Sequence, residues 1–296
     1  MRLHVFFAAV VVVMVAGCSQ PAGSTATSPT GPAASVTASA TPPLAEATGR
    51  AEVILPQGSE SPTACDPGEF ADSRGICLPC QDYEGCFTSA TDMSYFYNVG
   101  IGLIENYSQD AFGKRLDPDK WWYVQTGVTG QEPCTKAGGG LATYTDRSYE
   151  YCPVDRAVYV GEQSMWAYYS TQGDAAPIVG LAHEWGHHLQ ELAGIRTRSA
   201  SRSADTLAQE IQADCVAGAW AGWARTNQVL NESDDLADIA ALMKAVADYG
   251  PERQHGDLTE RVQAFDNGLA NGIVACNAYV DWTPLVTDAG PVSVLP

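Results

Sequence analysis

The stretch HEWGHHLQ at residues 183–190 decides the fold of this chain. Residues 178–182 (IVGLA) are apolar, so the motif is predicted to lie on a helix that is buried where it enters the site. Residues i and i+4 of a helix share one face, one turn apart, which brings His183 and His187 together. Two imidazoles placed in this way can bind the same metal ion.

Glu184 completes the HExxH pattern. Its carboxylate is expected beside the metal, where it can take a proton from a zinc-bound water whose pKa the metal lowers towards about 7. The alternative is a chance match on a surface helix. A buried helix with two His and one Glu argues against chance, because unpaired polar groups there cost free energy.

A catalytic zinc ion requires a third protein ligand and one open position. The longer motif HExxHxxGxxH does not supply it, because the chain has Gln190 and Ala193 at the required Gly and His positions. Glu210 on the next predicted helix is the candidate ligand, within a mainly apolar stretch, and Asp214 lies one turn further on. Asp214 is expected to accept the free ring N–H of a ligand His, or alternatively to be the ligand itself.

His255 and Arg261 are further candidates at the start of the last predicted helix. His255 could donate a hydrogen bond to the oxyanion of a tetrahedral intermediate, which would make it a catalytic residue. A structural role, as a helix cap or a satisfied histidine, is the alternative. Arg261 would either brace the site or bind substrate.

The N-terminus predicts export and a lipid anchor. Arg2 precedes an apolar run at residues 5–17 that is too short for a typical membrane span. Small residues then lead to Cys18, as at a signal cleavage site, and this pattern resembles the lipobox of bacterial lipoproteins. We expect residues 1–17 to be a signal peptide and Cys18 to carry the lipid, palmitate included, that holds the protein at the extracytoplasmic membrane surface. An ordinary signal peptide with an incidental Cys is the alternative.

Residues 18–60 are predicted to be the lipidated Cys and a disordered tether. Ala, Ser, Thr, Pro and Gly fill most of residues 19–49, which cannot bury enough apolar surface to fold.

The chain has nine Cys, and a lipidated Cys18 leaves an even number, which indicates up to four disulfides in an exported protein. Residues 61–88 are predicted to be a segment stapled by disulfides from Cys65, Cys77, Cys80 and Cys86. The CxxC formed by residues 77–80 could instead be a redox pair or a zinc knuckle. The lack of a βαβ unit and the oxidising compartment favour disulfides.

The charge of the chain bounds its partners. The formal net charge is −19 at pH 7, so the protein is expected to repel phosphate backbones and not to bind nucleic acid.

Residues 89–285 are predicted to form an α+β domain, and residues 286–296 a tail. Helical spacing in residues 89–112 predicts a first helix. Aromatic and β-branched runs then predict a small, mostly antiparallel sheet, with strands at 121–128, 141–145, 149–152 and 157–160. Four helices follow, at about 174–194, 203–227, 234–248 and 257–270.

Five segments, in this order along the chain, resemble the bacterial neutral zinc metallopeptidase family. They are YCPVDRAVY (151–159), HEWGHHLQ (183–190), EIQADCVAGAWAGWA (210–224), His255-Gly256 followed by Arg261, Phe265 and Gly268, and the late Cys276. The resemblance covers about residues 92–282.

The resemblance implies a zincin-like fold that holds one Zn²⁺ ion through His183, His187 and Glu210, with Glu184 as the catalytic base. It also suggests Cys134–Cys152 and Cys215–Cys276 disulfides. The four N-terminal cysteines would then pair among themselves.

Together these observations predict an exported, lipid-anchored zinc metalloendopeptidase that acts on peptide or protein substrates. The alternative is a cell-surface binding or scaffold lipoprotein with a structural zinc ion and no hydrolytic activity. A structural site would not need Glu184 and would usually be closed by a fourth protein ligand. A thiol–disulfide enzyme that uses Cys77 and Cys80 is a third hypothesis.

Overall fold

Helices and short strands follow each other along the chain. The computed structural model describes residues 52–54, 69–71, 77–79, 87–135, 139–195, 202–250, 253–287 and 292–295. The helices are α1 (Met93–Phe112), α2 (Glu162–Gln172), α3 (Ala175–Leu192), α4 (Arg202–Thr226), α5 (Asp235–Ala245) and α6 (Leu258–Asn271). The strands are β1 (Glu52–Ile54), β2 (Glu69–Ala71), β3 (Cys77–Pro79), β4 (Lys120–Val124), β5 (Thr129–Thr135), β6 (Leu141–Thr145), β7 (Tyr149–Cys152), β8 (Ala157–Gly161), β9 (Val286–Thr287) and β10 (Ser293–Val294).

The principal sheet has the strand order β1-β4-β8-β7. β4 pairs in parallel with both β1 and β8, and β7 pairs antiparallel with β8 and forms one edge. The α+β class predicted from the sequence is therefore confirmed, but the expectation of a mostly antiparallel sheet is wrong for this sheet. The chain leaves β4 to form a separate β5–β6 hairpin, and β8 then returns beside β4 in the same direction.

Within the predicted domain, β5 and α2 are among the elements that the sequence did not predict. β5 contains Gly130 and Pro133, which both weaken a strand pattern. α2 lacks a continuous apolar stripe, and its buried residues are Glu162, Met165 and Tyr169. Without that stripe the helical period of α2 does not stand out in the sequence.

The helices that build the site lie close to their predicted bounds. Asp174 is the N-cap residue of α3, and Asp234 is the N-cap residue of α5. α6 begins after Asp257, whose carboxylate accepts a hydrogen bond from the backbone N–H of Glu260 in a capping box.

α3 is held in the core by Trp185, which is fully buried. The indole N–H donates a hydrogen bond to the carbonyl of Leu116 at 2.7 Å, and the rings of Tyr107 and Phe112 meet it edge-on. Burial of such a side chain is worth about 3–5 kcal/mol relative to Ala. Since Trp185 lies between Glu184 and His187 in the sequence, this packing fixes the rotation of α3 about its axis.

Two predicted segment boundaries need correction. Strand β1 lies within residues 18–60, which were expected to be tether, and it joins the principal sheet through β4. Val286 is buried and belongs to β9, which pairs with β10 within the expected tail 286–296. The sequence around both segments is rich in Pro and Gly, which hides such short strands.

Several predictions concern residues that the structure does not describe. Outside the described residues lie the signal peptide, Cys18 and the remaining tether. The same holds for Cys65, Cys80 and Cys86, and for the side chain of Cys77. Among the helices that the structure describes, none has the length and apolar character needed to cross a membrane.

Candidate metal centre

α3 presents His183, Glu184 and His187 at one wall of a cleft of about 350 Å³. The two imidazole rings have centroids 4.8 Å apart and stand almost perpendicular to each other. His183 and Glu184 are each only 8% exposed. The two histidines of the motif therefore face the same space, as the helical spacing predicts.

α4 packs closely against α3 at Gly186. A Cβ atom on Gly186 would lie 3.1 Å from the Cα of Ala213 and 3.3 Å from the Cβ of Val216. The missing side chain thus lets the two helix backbones approach each other. This approach brings Glu210, which precedes Ala213 by one turn of α4, into reach of both imidazoles.

The Glu210 carboxylate completes a group of three donors. Its Oε2 lies 3.2 Å from Nε2 of His183, and its Oε1 lies 3.5 Å from Nε2 of His187. The donor atoms of the three residues all lie within 4.8 Å of one another. Tetrahedral zinc with bonds of about 2.0–2.1 Å needs neighbouring donors roughly 3.3–3.5 Å apart, so two nitrogens and one oxygen at these separations fit zinc.

Asp214 braces the first histidine from behind. Its Oδ1 lies 2.8 Å from Nδ1 of His183 and accepts a second hydrogen bond, also 2.8 Å, from Nη2 of Arg261. The Arg261 side chain also donates to the carbonyl of Val246 at the end of α5. Of the two roles considered for Asp214, the geometry matches the brace, since Nε2 of His183 faces Glu210. Arg261 likewise braces the site.

Gln190 braces the second histidine, and the sequence-based analysis did not assign it a role. Its Oε1 lies 3.0 Å from Nδ1 of His187, one turn back on α3. The available signal was its position three residues after His187, since residues i and i+3 share a helix face. Both histidines consequently use Nδ1 for a protein partner and keep Nε2 for the metal.

The charges in the site stabilise each other. Burial alone would lower the pKa of His183, but the Asp214 and Glu210 carboxylates outweigh it and raise that pKa to about 10 in the metal-free protein. Burial would raise the pKa of Glu210, but the two neighbouring imidazoles hold it well below its usual range. A cation between these groups would take the place of the proton.

Glu184 has a different environment from Glu210. Burial raises its pKa above that of an ordinary Glu, although His183 and His187 act in the opposite direction. Its side chain lines the cleft together with the three donor residues. A carboxyl group that lines the cleft beside the three donors is placed to accept and return a proton.

His255 lines the same cleft but lies at its rim, with a side chain that is 51% exposed. Its Nδ1 lies 3.1 Å from Oδ2 of Asp248, which also accepts a hydrogen bond from the His255 backbone N–H. A neutral imidazole that donates from Nδ1 carries a lone pair at Nε2. Asp248 thus occupies Nδ1 of His255, and Nε2 is the ring nitrogen left to face a substrate.

Most of the remaining cleft wall is aromatic or apolar. Tyr149 and Tyr168 contribute rings whose centroids lie 5.3 Å apart, and the Tyr149 hydroxyl donates to the carbonyl of Pro177. α5 contributes Leu242 and Met243. The sequence-based analysis did not name these wall residues, because they come from separate helices and a strand that only the tertiary structure brings together.

The chain matches the family model described as "Putative neutral zinc metallopeptidase" over residues 120–279, which is more than half of its length. The protein belongs to this zinc metallopeptidase family. The matched range contains all three donors, Glu184, and two disulfides between described residues, Cys134–Cys152 and Cys215–Cys276. Zinc is the metal of the family, and His183, His187 and Glu210 are the residues that would hold it.

Similar proteins occur in Escherichia coli and in mycobacteria. The chain is 28% identical over 196 residues to the uncharacterized protein YpfJ of Escherichia coli K12, a match that covers 58% of this chain and 68% of YpfJ. It is 31% identical over 244 residues to the uncharacterized protein Rv2575 of Mycobacterium tuberculosis H37Rv, which covers 70% and 80% of the two chains. The uncharacterized protein Mb2605 of Mycobacterium bovis matches to the same extent. No solved structure matches the chain.

Proposed function

We propose that the protein is an exported, lipid-anchored zinc metalloendopeptidase that hydrolyses peptide bonds in peptide or protein substrates. The observation that carries this proposal is the presence of a buried acid–base group, Glu184, in the same cleft as three zinc-binding donors. Three protein donors leave a fourth position for water or substrate, whereas a purely structural zinc site is usually closed by four.

The residues of the cleft divide the work between them. When bound, zinc supplies Lewis acidity that polarises the scissile carbonyl and activates the attacking water. Glu184 accepts a proton from that water at a carboxylate oxygen and delivers it to the nitrogen of the leaving amine.

The position of β7 at the edge of the sheet supports the proposal that the substrate is a peptide. It forms one edge of the principal sheet, and its residues Tyr149, Glu150 and Tyr151 line the cleft beside the metal-binding side chains. A strand edge can pair with an extended peptide through main-chain hydrogen bonds. A peptide bound along β7 would pass next to Glu184.

The experiment that tests this function compares the wild type with Glu184→Gln. We expect both proteins to retain one zinc ion per chain in metal analysis. The rate at which the variant digests an unstructured protein substrate should fall by about 10²–10⁴-fold, the usual contribution of a positioned acid–base group. Asp266→Asn, which removes an exposed carboxylate from α6, is the matched control and should digest the substrate normally.

Two results would refute the proposal. Hydrolysis that persists in Glu184→Gln would remove this residue from the reaction. A wild-type protein that binds zinc but cleaves no substrate, and that unfolds when a chelator removes the metal, would favour the scaffold lipoprotein with a structural zinc ion.

The lipid anchor is proposed from the sequence around Cys18. The wild type should partition into the membrane fraction of expressing bacteria, and Cys18→Ser should not acquire the lipid. Metabolic labelling with a fatty acid distinguishes the two, and equal labelling of both proteins would contradict the anchor.

A further inference from the structure

Two buried glutamines connect the metal centre to a distant backbone carbonyl. Gln190 on α3 is 3% exposed and Gln212 on α4 is fully buried. Neither side chain has a role in the proposed reaction. Burial of an amide side chain costs free energy unless its polar atoms are hydrogen-bonded, so the hydrogen-bond partners of these two side chains indicate what they do.

The hydrogen bonds form a continuous chain. Nδ1 of His187 lies 3.0 Å from Oε1 of Gln190, and Nε2 of Gln190 donates to Oε1 of Gln212 at 3.1 Å. Nε2 of Gln212 then donates to the carbonyl of Cys276 at 3.0 Å. The second N–H of the Gln190 amide donates to the carbonyl of Gln209 at 2.7 Å.

This chain has only one consistent direction. A backbone carbonyl can only accept, so Gln212 must turn its NH₂ group towards Cys276 and its oxygen towards Gln190. Gln190 must then turn its NH₂ group towards Gln212 and the carbonyl of Gln209, which leaves its oxygen facing His187. The imidazole of His187 must consequently donate from Nδ1, which leaves Nε2 as the nitrogen that can bind a metal ion.

We infer that Gln190 and Gln212 are positioning residues that set the tautomer and ring direction of His187 for metal binding, with the carbonyl of Cys276 as the fixed end of the chain. This inference rests on the proposed metal site, because it assigns His187 as a ligand. It adds how the ligand nitrogen is selected.

The fixed end of the chain is well anchored. Cys276 forms a disulfide with Cys215, which follows Asp214 directly in α4. The brace of His183 and the far end of the brace of His187 are therefore both attached to the same turn of α4. The two braces differ in charge, since His183 faces a carboxylate and His187 faces a neutral amide.

Zinc affinity tests the inference. Gln190→Met keeps the size of the side chain but removes its hydrogen bonds, and it should weaken zinc binding by about 10–100-fold in a chelator competition assay. Gln190→Glu keeps an oxygen acceptor for Nδ1 of His187, but a carboxyl group has at most one O–H and cannot replace both hydrogen bonds that the amide NH₂ donates. Because the acceptor is kept, the zinc affinity of this variant should stay within a few-fold of that of the wild type. Gln263→Met, at an exposed position of α6, is the control and should bind zinc normally.

A spectroscopic measurement separates positioning from general damage. The chain has five His, so histidine-selective ¹⁵N labelling gives a readable spectrum of the zinc-loaded protein. The wild type should show a slowly exchanging Nδ1–H proton for His187. This signal should disappear in Gln190→Met and persist in Gln190→Glu.

The outcomes are distinct. If the wild type binds no zinc, the proposed function fails and this inference fails with it. If the wild type binds zinc and Gln190→Met binds it equally well, with the His187 signal unchanged, only this inference is overturned. Should Gln190→Met not fold, Gln212→Met replaces it, with a smaller expected loss because Gln190 still donates to the carbonyl of Gln209. Unchanged zinc affinity in Gln212→Met would then overturn the inference.

Discussion

Oδ1 of Asp214 lies 2.8 Å from Nδ1 of His183, on the side of the imidazole ring opposite Glu210. Asp214 is fully buried, and Arg261 balances its charge through the same oxygen. The first ligand of the site is thus held by a buried ion pair, and this arrangement leads to the first of four predictions.

Asp214→Asn should weaken both the metal site and the fold. The amide oxygen still accepts from His183, but the loss of charge should lower zinc affinity by about tenfold. Arg261 would lose its buried counter-ion, which should reduce the free energy of unfolding by about 3 kcal/mol. Chelator competition and urea unfolding measure the two effects. Asp266→Asn is again the control, and a result equal to this control would show that Asp214 does not act as a brace.

Zinc binding should release protons. The carboxylates around His183 raise its pKa to about 10 in the metal-free protein, so near neutral pH this imidazole holds a proton that the metal must displace. Apparent zinc affinity should therefore increase with pH, by up to about tenfold per pH unit for each proton displaced. Calorimetry in buffers of different ionisation enthalpy counts these protons, and a binding heat independent of the buffer would contradict the expectation.

Asp174 should make the protein less stable at higher pH. Burial and the nearby carboxylates of Glu232, Asp235 and Asp238 raise its pKa from 3.8 to about 7. The folded state therefore binds this proton more tightly than the unfolded chain, and the free energy of unfolding falls as the pH rises from about 4 to about 7. Asp174→Asn should remove this component and stabilise the protein by at least about 1 kcal/mol near pH 8. Urea unfolding at about pH 5 and pH 8 tests it, and an unchanged pH dependence in the variant would count against it.

The two disulfides should contribute differently to stability and metal binding. Cys215–Cys276 spans 61 residues and Cys134–Cys152 spans 18, so loop entropy predicts losses of about 4 and 3 kcal/mol when each pair is replaced by Ser. Only the first replacement should also weaken zinc binding, because the Cys276 carbonyl receives the hydrogen bond from Gln212. Urea unfolding and chelator competition on the two double variants check this, and equal zinc affinities would contradict it.

The sequence was most informative where a local period carried the chemistry. His183 and His187 lie one helical turn apart, as do Glu210 and Asp214, so each pair could be placed on one helix face without a structure. The contact between the two helices could be predicted only from the chemistry of the motif, because a catalytic zinc ion needs a third protein ligand.

Contacts between elements that are distant in the chain could not be predicted in this way. β1 joins the sheet from a segment of tether-like composition, and its parallel pairing with β4 depends on the tertiary fold. The role of Gln212 depends on a carbonyl 64 positions away, which no periodicity indicates. The general position of the site and the role of Asp214 were therefore predictable, but the roles of Gln190 and Gln212 were not.

Because α3 and α4 pack closely at Gly186, the two x positions of HExxH do not accept just any residue in this protein. The first holds the indole that locks the helix in the core, and the second tolerates almost no side chain. A methyl group there would force the neighbouring atoms apart by a few tenths of an ångström, and a larger group would pull the carboxylate ligand away from its histidines. A database pattern that ignores this position would accept sequences that spell the motif but could not assemble the centre on this scaffold.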